Sequence, residues 1–209
     1  MAPRAYNSES RLQKQAELKE RIAAAAAALH ARKGAMATSY AEIAAEAGVS
    51  LPTVYAHFPT QRELLVGCTQ HAAAGAPVLP IDAVMAASDL PAATELLVDA
   101  MEQQHLYYEP WLSWRENRVI PFLAEMSGDV RDQRAALIAK VLKAHVGPGE
   151  HREAVAGWES ALSFDFWHRL TRGHRLSRPR ARGVIVRALL AIVPPQQHLA
   201  VHPPLRRKR

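Results

Sequence analysis

A single cysteine, Cys68, stands in 209 residues, so no internal disulfide can form and no clustered-cysteine metal site can be built. Such sparing use suits a reducing compartment, and a cytoplasmic protein is expected. Long hydrophobic runs are also missing. The apolar stretch at 23–29 is alanine-rich and far short of the roughly 20 residues a bilayer-spanning helix needs, so no membrane partner is expected. The polar N-terminus lacks the pattern of a secretion signal. Strand-like alternation and β-branched runs are scarce, which leaves helix as the favoured element. No glycine-rich phosphate loop and no glycine-flanked serine elbow occurs, so those two chemistries have no foothold. Acid is missing from one region: residues 169–209 hold eleven Lys and Arg and no Asp or Glu, whereas residues 71–168 hold seven against fourteen. A basic end can be a solvated tail or an attractor of phosphate, and charge alone does not choose between them.

What is present is helical periodicity. Leu18, Ile22, Ala25 and Leu29 recur at spacings of four and three, giving an apolar stripe on a helix over 12–33, with Gly34 as its stop. Residues 1–10 show no such pattern and read as unstructured. Ser39 to Glu42 forms a capping box that opens a second helix, which Gly48 ends. A third starts at Ser50 or Leu51, with Pro52 in its first turn, and ends by Phe58-Pro59. A fourth follows Thr60. Gly75, Pro77, Pro80 and Pro91 mark a junction, beyond which helices are expected at 91–107, 111–126, 129–145, 151–172 and 178–193. The expected domains are 1–74 (an arm and four helices), 75–195 (a second helical unit) and 196–209 (a basic disordered tail).

The function lies in residues 39–58, SYAEIAAEAGVSLPTVYAHF. A DNA-reading helix-turn-helix needs a short support helix, a turn that accepts positive φ, and a second helix free to enter the major groove. Ile43, Ala47, Val49 and Val54 supply the shared core, Ala44 the small residue at the crossing, and Gly48 the turn. Ser50 caps the second helix, leaving Leu51, Pro52, Thr53, Tyr55, Ala56 and His57 facing out. That face is rich in hydroxyls and has no acid. Thr53 and His57 are placed to reach base edges, while hydroxyls and helix N-terminal amides suit phosphate oxygens.

Residues 19–65 resemble the tetracycline-repressor (TetR) family of bacterial regulators. The likeness runs through Ile22, Ala25, Ala26, Leu29 and Gly34, then Ile43-Ala44, Ala47-Gly48-Val49-Ser50, Thr53-Val54-Tyr55-x-x-Phe58 and Glu63-Leu64. The resemblance implies an all-α homodimer. An N-terminal three-helix unit would read near-palindromic operator DNA, and a C-terminal helical domain would bind a small-molecule effector. It also implies backbone contacts from Tyr55 and Ser39. Where the family commonly opens the fourth helix with a lysine, this chain has Gln61 beside Arg62, and an aromatic usual in the first helix is His30 here.

In the C-terminal half the candidate effector site is an aromatic cluster with polar neighbours: His105, Tyr108, Trp111, Trp114, Arg115, Trp158, Phe164 and Trp167. The same aromatics serve equally as plain core. The dimer seam is expected on the last two helices, through Ala154, Trp158, Ala161, Leu162 and Asp165 of one and Val184, Ile185, Ala188, Leu189 and Ile192 of the other. No cofactor is implied. The rival reading is a metal-binding bundle protein or enzyme, because Glu102-x-x-His105 and Asp165-x-x-His168 have the spacing by which bundles hold paired iron.

Overall fold

Helix α1 (Ala5–Lys33) begins earlier than its apolar stripe. Residues 10–17 are exposed, so good helix formers and pairs such as Gln13 to Glu17 (3.1 Å) extend it beyond the packed part. The expectation of an unstructured start therefore fails from Ala5 onward. The computed structural model describes residues 5–193; residues 1–4 and the whole of the expected tail at 196–209 lie outside the described residues. No strand occurs among the described residues, and the chain is all-α. None of the described helices is long and apolar enough to cross a membrane.

Two compact units form. The first comprises residues up to 76 together with 108–124. In it α1 packs against α2 (Tyr40–Ala47) and α4 (Gln61–Ala74), and α3 (Leu51–His57) packs on α2. The stripe behaves as its spacing requires: Ile22 is fully buried, Ala25 and Leu29 are buried, and Leu18 is packed at the edge. Ile43, Val54, Phe58, Leu64 and Leu65 close the core from the other helices, and Trp111, Ile120, Phe122 and Leu123 join it from far along the chain.

The second unit comprises 77–107 and the residues from 125 onward. A short helix α5 (Ile81–Met85), unforeseen among the prolines, is held by Val84, which is buried and whose carbonyl accepts from His145 Nε2 (3.0 Å). Helix α6 (Leu90–Leu112) runs through Pro110, two residues from its end, giving up one helical hydrogen bond in its last turn. A 3₁₀ turn (Glu116–Arg118) leads to α7 (Pro121–His145). The expected break at Ser127-Gly128 is absent, since a lone helical glycine costs only about 1 kcal/mol. Helix α8 (Arg152–Ala161) and α9 (Phe164–His168) are separated by Ser163, which caps α9 by accepting from the Phe166 amide (3.2 Å). A π-helical turn (Arg169–Gly173) precedes α10 (Arg178–Ile192). Helices α6 and α7 thus each give residues to both units.

The stripe expected to face a partner is divided. Ile185 and Leu189 are buried in the second unit's own core, and Trp158 is fully buried with its indole donating to the Leu189 carbonyl (3.0 Å). Val184 and Ala188 are half-buried and Ile192 is exposed.

Candidate nucleic-acid interface

The reading element is built from its caps. Ser39 accepts from the Glu42 amide (3.3 Å), and the Glu42 carboxylate accepts from the Ser39 amide (2.9 Å) and hydroxyl (2.8 Å), closing the expected capping box. Lys33 Nζ also donates to Glu42 (2.5 Å), and chiefly through that bond the carboxyl is pulled down to about 2. Gly48 turns the chain at φ 64°, ψ 42°, in the left-handed region that favours glycine. Ser50 then caps α3 by accepting from the Thr53 amide (3.3 Å), and its hydroxyl lies 2.7 Å from that of Thr53.

From these caps the orientation of α3 follows. Val54 is fully buried, while Leu51, Pro52, Tyr55 and Ala56 are exposed and Thr53 and His57 are half-buried. Tyr55 stacks on Tyr40, with ring centroids 4.6 Å apart and planes at 15°. The Tyr40 hydroxyl is buried without a hydrogen-bond partner, and burial, ahead of the nearby Tyr55 and Glu63, raises its pKa. Helix α3 carries no acid, and the two acids of α2 are matched by bases, Glu42 by Lys33 and Glu46 by Arg32 (2.9 Å). A second capping box, Thr60 with Glu63, opens α4, and its Thr-x-x-Glu signal is present in the sequence. Gln61 and Arg62 stand exposed there, and the Arg62 guanidinium lies 4.7 Å over the Phe122 ring. Ser39, Ser50, Leu51, Pro52, Thr53, Tyr55, His57, Gln61 and Arg62 all belong to this one unit.

Residues 22–68 match the family described as bacterial regulatory proteins, tetR family. These residues thus form a tetR-family DNA-binding domain at the N-terminal end of an all-helical chain. Two solved structures share the fold. A transcriptional regulator from Rhodococcus sp. Rha1 is 18% identical, with a TM-score of 0.63 over 88% of this chain and 99% of that one. The multidrug binding protein EbrR, complexed with imidazole, is 23% identical, with a TM-score of 0.56 over 86% of this chain and 92% of that one. No curated protein matches. In this DNA-binding domain α2 and α3 supply the helix-turn-helix.

His30, which stands where the tetR family usually has an aromatic, is buried and keeps its place by a polar contact, its Nδ1 lying 3.4 Å from Cys68 Sγ. Burial lowers the His30 pKa against the opposing charge of Glu116, and burial pushes the Cys68 thiol up to about 12.

The aromatics expected to form one effector site are divided between the two units. Tyr108, Trp111, Trp114 and Arg115 belong to the first. There the Trp111 indole donates to the Ala27 carbonyl (2.9 Å) and that of Trp114 to the Ala31 carbonyl (3.2 Å). Trp158 is core of the second unit. His105, Phe164 and Trp167 do come together, with centroids 5.6–5.8 Å apart. His105 and Trp167 line a cavity of about 10 Å³, room for one water, together with Met101, Glu102, Leu162 and Arg182 among others. His105 Nε2 donates to the Leu162 carbonyl (3.1 Å), and the Trp167 indole nitrogen is buried with no partner. Burial, more than the charge of Arg134, holds His105 down to about 4. The metal reading loses its footing: Glu102 is engaged by Arg178 (3.3 and 3.4 Å), and no three His, Cys, Asp or Glu gather as ligands among the described residues.

Proposed function

We propose that this chain is a homodimeric repressor that leaves its operator when a small molecule binds the second unit, and that it performs no catalytic step. The observation that carries the reading is the acid-free outer face of α3, held by capped ends on a closed core and offering Thr53, Tyr55 and His57. Two such heads about 34–36 Å apart would meet successive major grooves of a near-palindromic site, in the cytoplasm where the DNA is. The effector site is placed at His105, Phe164 and Trp167, because a buried indole N–H without a partner is a donor awaiting an acceptor. A drug-sized molecule needs about 300 Å³ or more, so binding there requires the small cavity to open, with the flexible Met101 in its wall. EbrR, of the same fold, binds multiple drugs by its name, which supports a small organic effector.

Dimerisation is placed on the outer edge of α10, at Val184, Ala188 and Ile192, rather than on Leu189. The test has three parts. Wild-type protein is used to select duplexes from a random pool, and an inverted repeat is expected; selection of no sequence would overturn the reading. Light scattering should give a dimer that Ala188→Arg converts to a folded monomer with weakened operator binding. A compound that releases the selected duplex should lose affinity in Trp167→Phe, which removes the indole donor.

A further inference from the structure

A carboxylate close to a DNA-reading head is electrostatically unwelcome, since it repels phosphate from any sequence. Glu116 is such a group. It lies 80 residues beyond the turn it touches, yet its two oxygens accept from the Ala35 amide (2.7 Å) and the Met36 amide (2.8 Å). These are the residues that follow Gly34, whose φ of 83° turns the chain out of α1. Helix polarity does not account for the contact, because the C-terminus of α1 is the negative end of its dipole and disfavours an anion. What holds Glu116 there is the pair of amides, each bond charge-assisted. The fit is close. A Cβ on Gly34 would lie 2.5 Å from Glu116 Oε1, so this turn has room for the carboxylate only while residue 34 is glycine.

The neighbours of Glu116 show what the contact fixes. Ala31 is one of the last residues of α1, so its carbonyl has no amide to receive from the helix itself; the amide four residues on, Ala35, goes to Glu116. The Trp114 indole fills that vacancy, and Trp111 grips Ala27 one turn earlier. The segment is thereby fastened along α1, and Glu116 at its end holds the turn. Only Ala37 and Thr38 separate that turn from Ser39, the N-cap of α2, and the Thr38 hydroxyl bonds back to the Gly34 carbonyl (2.7 Å).

We propose that Glu116 is a positioning residue for operator recognition, its carboxylate fixing through the amides of Ala35 and Met36 the angle at which the α2–α3 reader leaves α1. This rests on the reading of the chain as an operator-binding regulator. The sign of the effect separates positioning from charge. Removing a negative group from a DNA-binding unit should tighten binding to every duplex if charge alone matters. A positioning group should instead weaken the selected duplex only.

The experiment compares full-length wild type, Glu116→Ala and Glu116→Gln by fluorescence anisotropy, on the highest-affinity duplex that wild type selects from a random pool and on a scrambled duplex of equal length. Circular dichroism monitors folding. Glu116→Ala should lose about tenfold or more on the selected duplex while binding the scrambled one as well as wild type or better. Glu116→Gln, which keeps one acceptor oxygen, should fall between. If the alanine variant does not fold, the glutamine variant decides alone, with at least a threefold fall in the ratio of the two affinities. An unchanged ratio in the folded variants, whether both affinities rise, fall or stay, overturns the role of Glu116. Failure of wild type to select any duplex overturns instead the operator reading on which it rests.

Discussion

Tyr55→Phe isolates one hydroxyl group. The Tyr55 ring is 50% exposed, yet its stack on Tyr40 at 4.6 Å holds it in place, so the hydroxyl is presented at a fixed position on the outer face of α3. If it donates to a phosphate oxygen, the bond is charge-assisted and worth about 1.5–3 kcal/mol. Its loss then weakens DNA binding by roughly 10- to 150-fold per reading head. Because a phosphate carries no sequence information, the selected and scrambled duplexes should lose equally. Because a hydroxyl displaces no counterion, the slope of log affinity against log salt should not change. The stack survives in the phenylalanine variant, so its stability should stay within about 0.5 kcal/mol of wild type. Tyr55→Ala also removes the stack, worth about 0.5–1.5 kcal/mol, and uncovers Tyr40. Anisotropy titrations at several salt concentrations, with urea unfolding beside them, read all of these quantities. A phenylalanine variant that binds like wild type, or one that loses affinity for the selected duplex alone, would refute the phosphate contact.

Three further outcomes follow from the packing. His105 titrates near 4 in the folded chain against 6.5 when exposed, so the unfolded chain holds the extra proton between those values; stability should be flat above pH 6.5 and fall by on the order of 3 kcal/mol as pH drops to 4. Urea midpoints across that range should show the slope in wild type and a shallower one in His105→Gln, where buried His30 still contributes. The Cys68 thiol, buried and pushed up to about 12, should resist iodoacetamide at pH 8 in native protein and react within minutes in urea; rapid native labelling would contradict its burial. In Gly67→Ala the new Cβ would lie 2.6 Å from Phe58 Cε1, an overpacking cost of about 1–3 kcal/mol set against about 1 kcal/mol of helix propensity. Since Phe58 ends α3, operator affinity should fall with stability, and a variant as stable as wild type with unchanged binding would speak against that close approach.

The reading helices were legible because their signals are local. Ser39 with Glu42, Gly48 and Ser50 each act within four residues, and the structure shows the bonds that the sequence pattern requires. Local signals misled where a longer element overrode them. Gly128 and Pro110 look like breaks and yet sit inside helices, the glycine at a cost of about 1 kcal/mol and the proline in the last turn of α6. Nothing local announces that Trp111 and Trp114 bond to α1, because their partners lie 84 and 83 residues away. Shared residence in one half of the sequence suggested a single aromatic cluster, whereas the chain passes back into the first unit at Tyr108 and takes two of the four tryptophans with it. The dimer stripe misled for a related reason: periodicity marks an apolar face without saying what covers it, and Leu189 is covered by its own subunit.

The interrupted build of the first unit bears on how such a chain can be cut and rejoined. A chimera that takes residues 1–76 and fuses them to another helical domain would carry every residue of the reader. It would leave behind Trp111, Trp114, Glu116 and Phe122. The amides of Ala35 and Met36 and the carbonyl of Ala31 would then face solvent, and the side of α1 that those rings cover would lie bare. A transplant would have to include 108–124, which cannot be lifted out without severing both α6 and α7. Exchange of readers between chains of this build is thus hindered by covalent topology, and a new pairing of head and body would need matched changes on both sides of the cut.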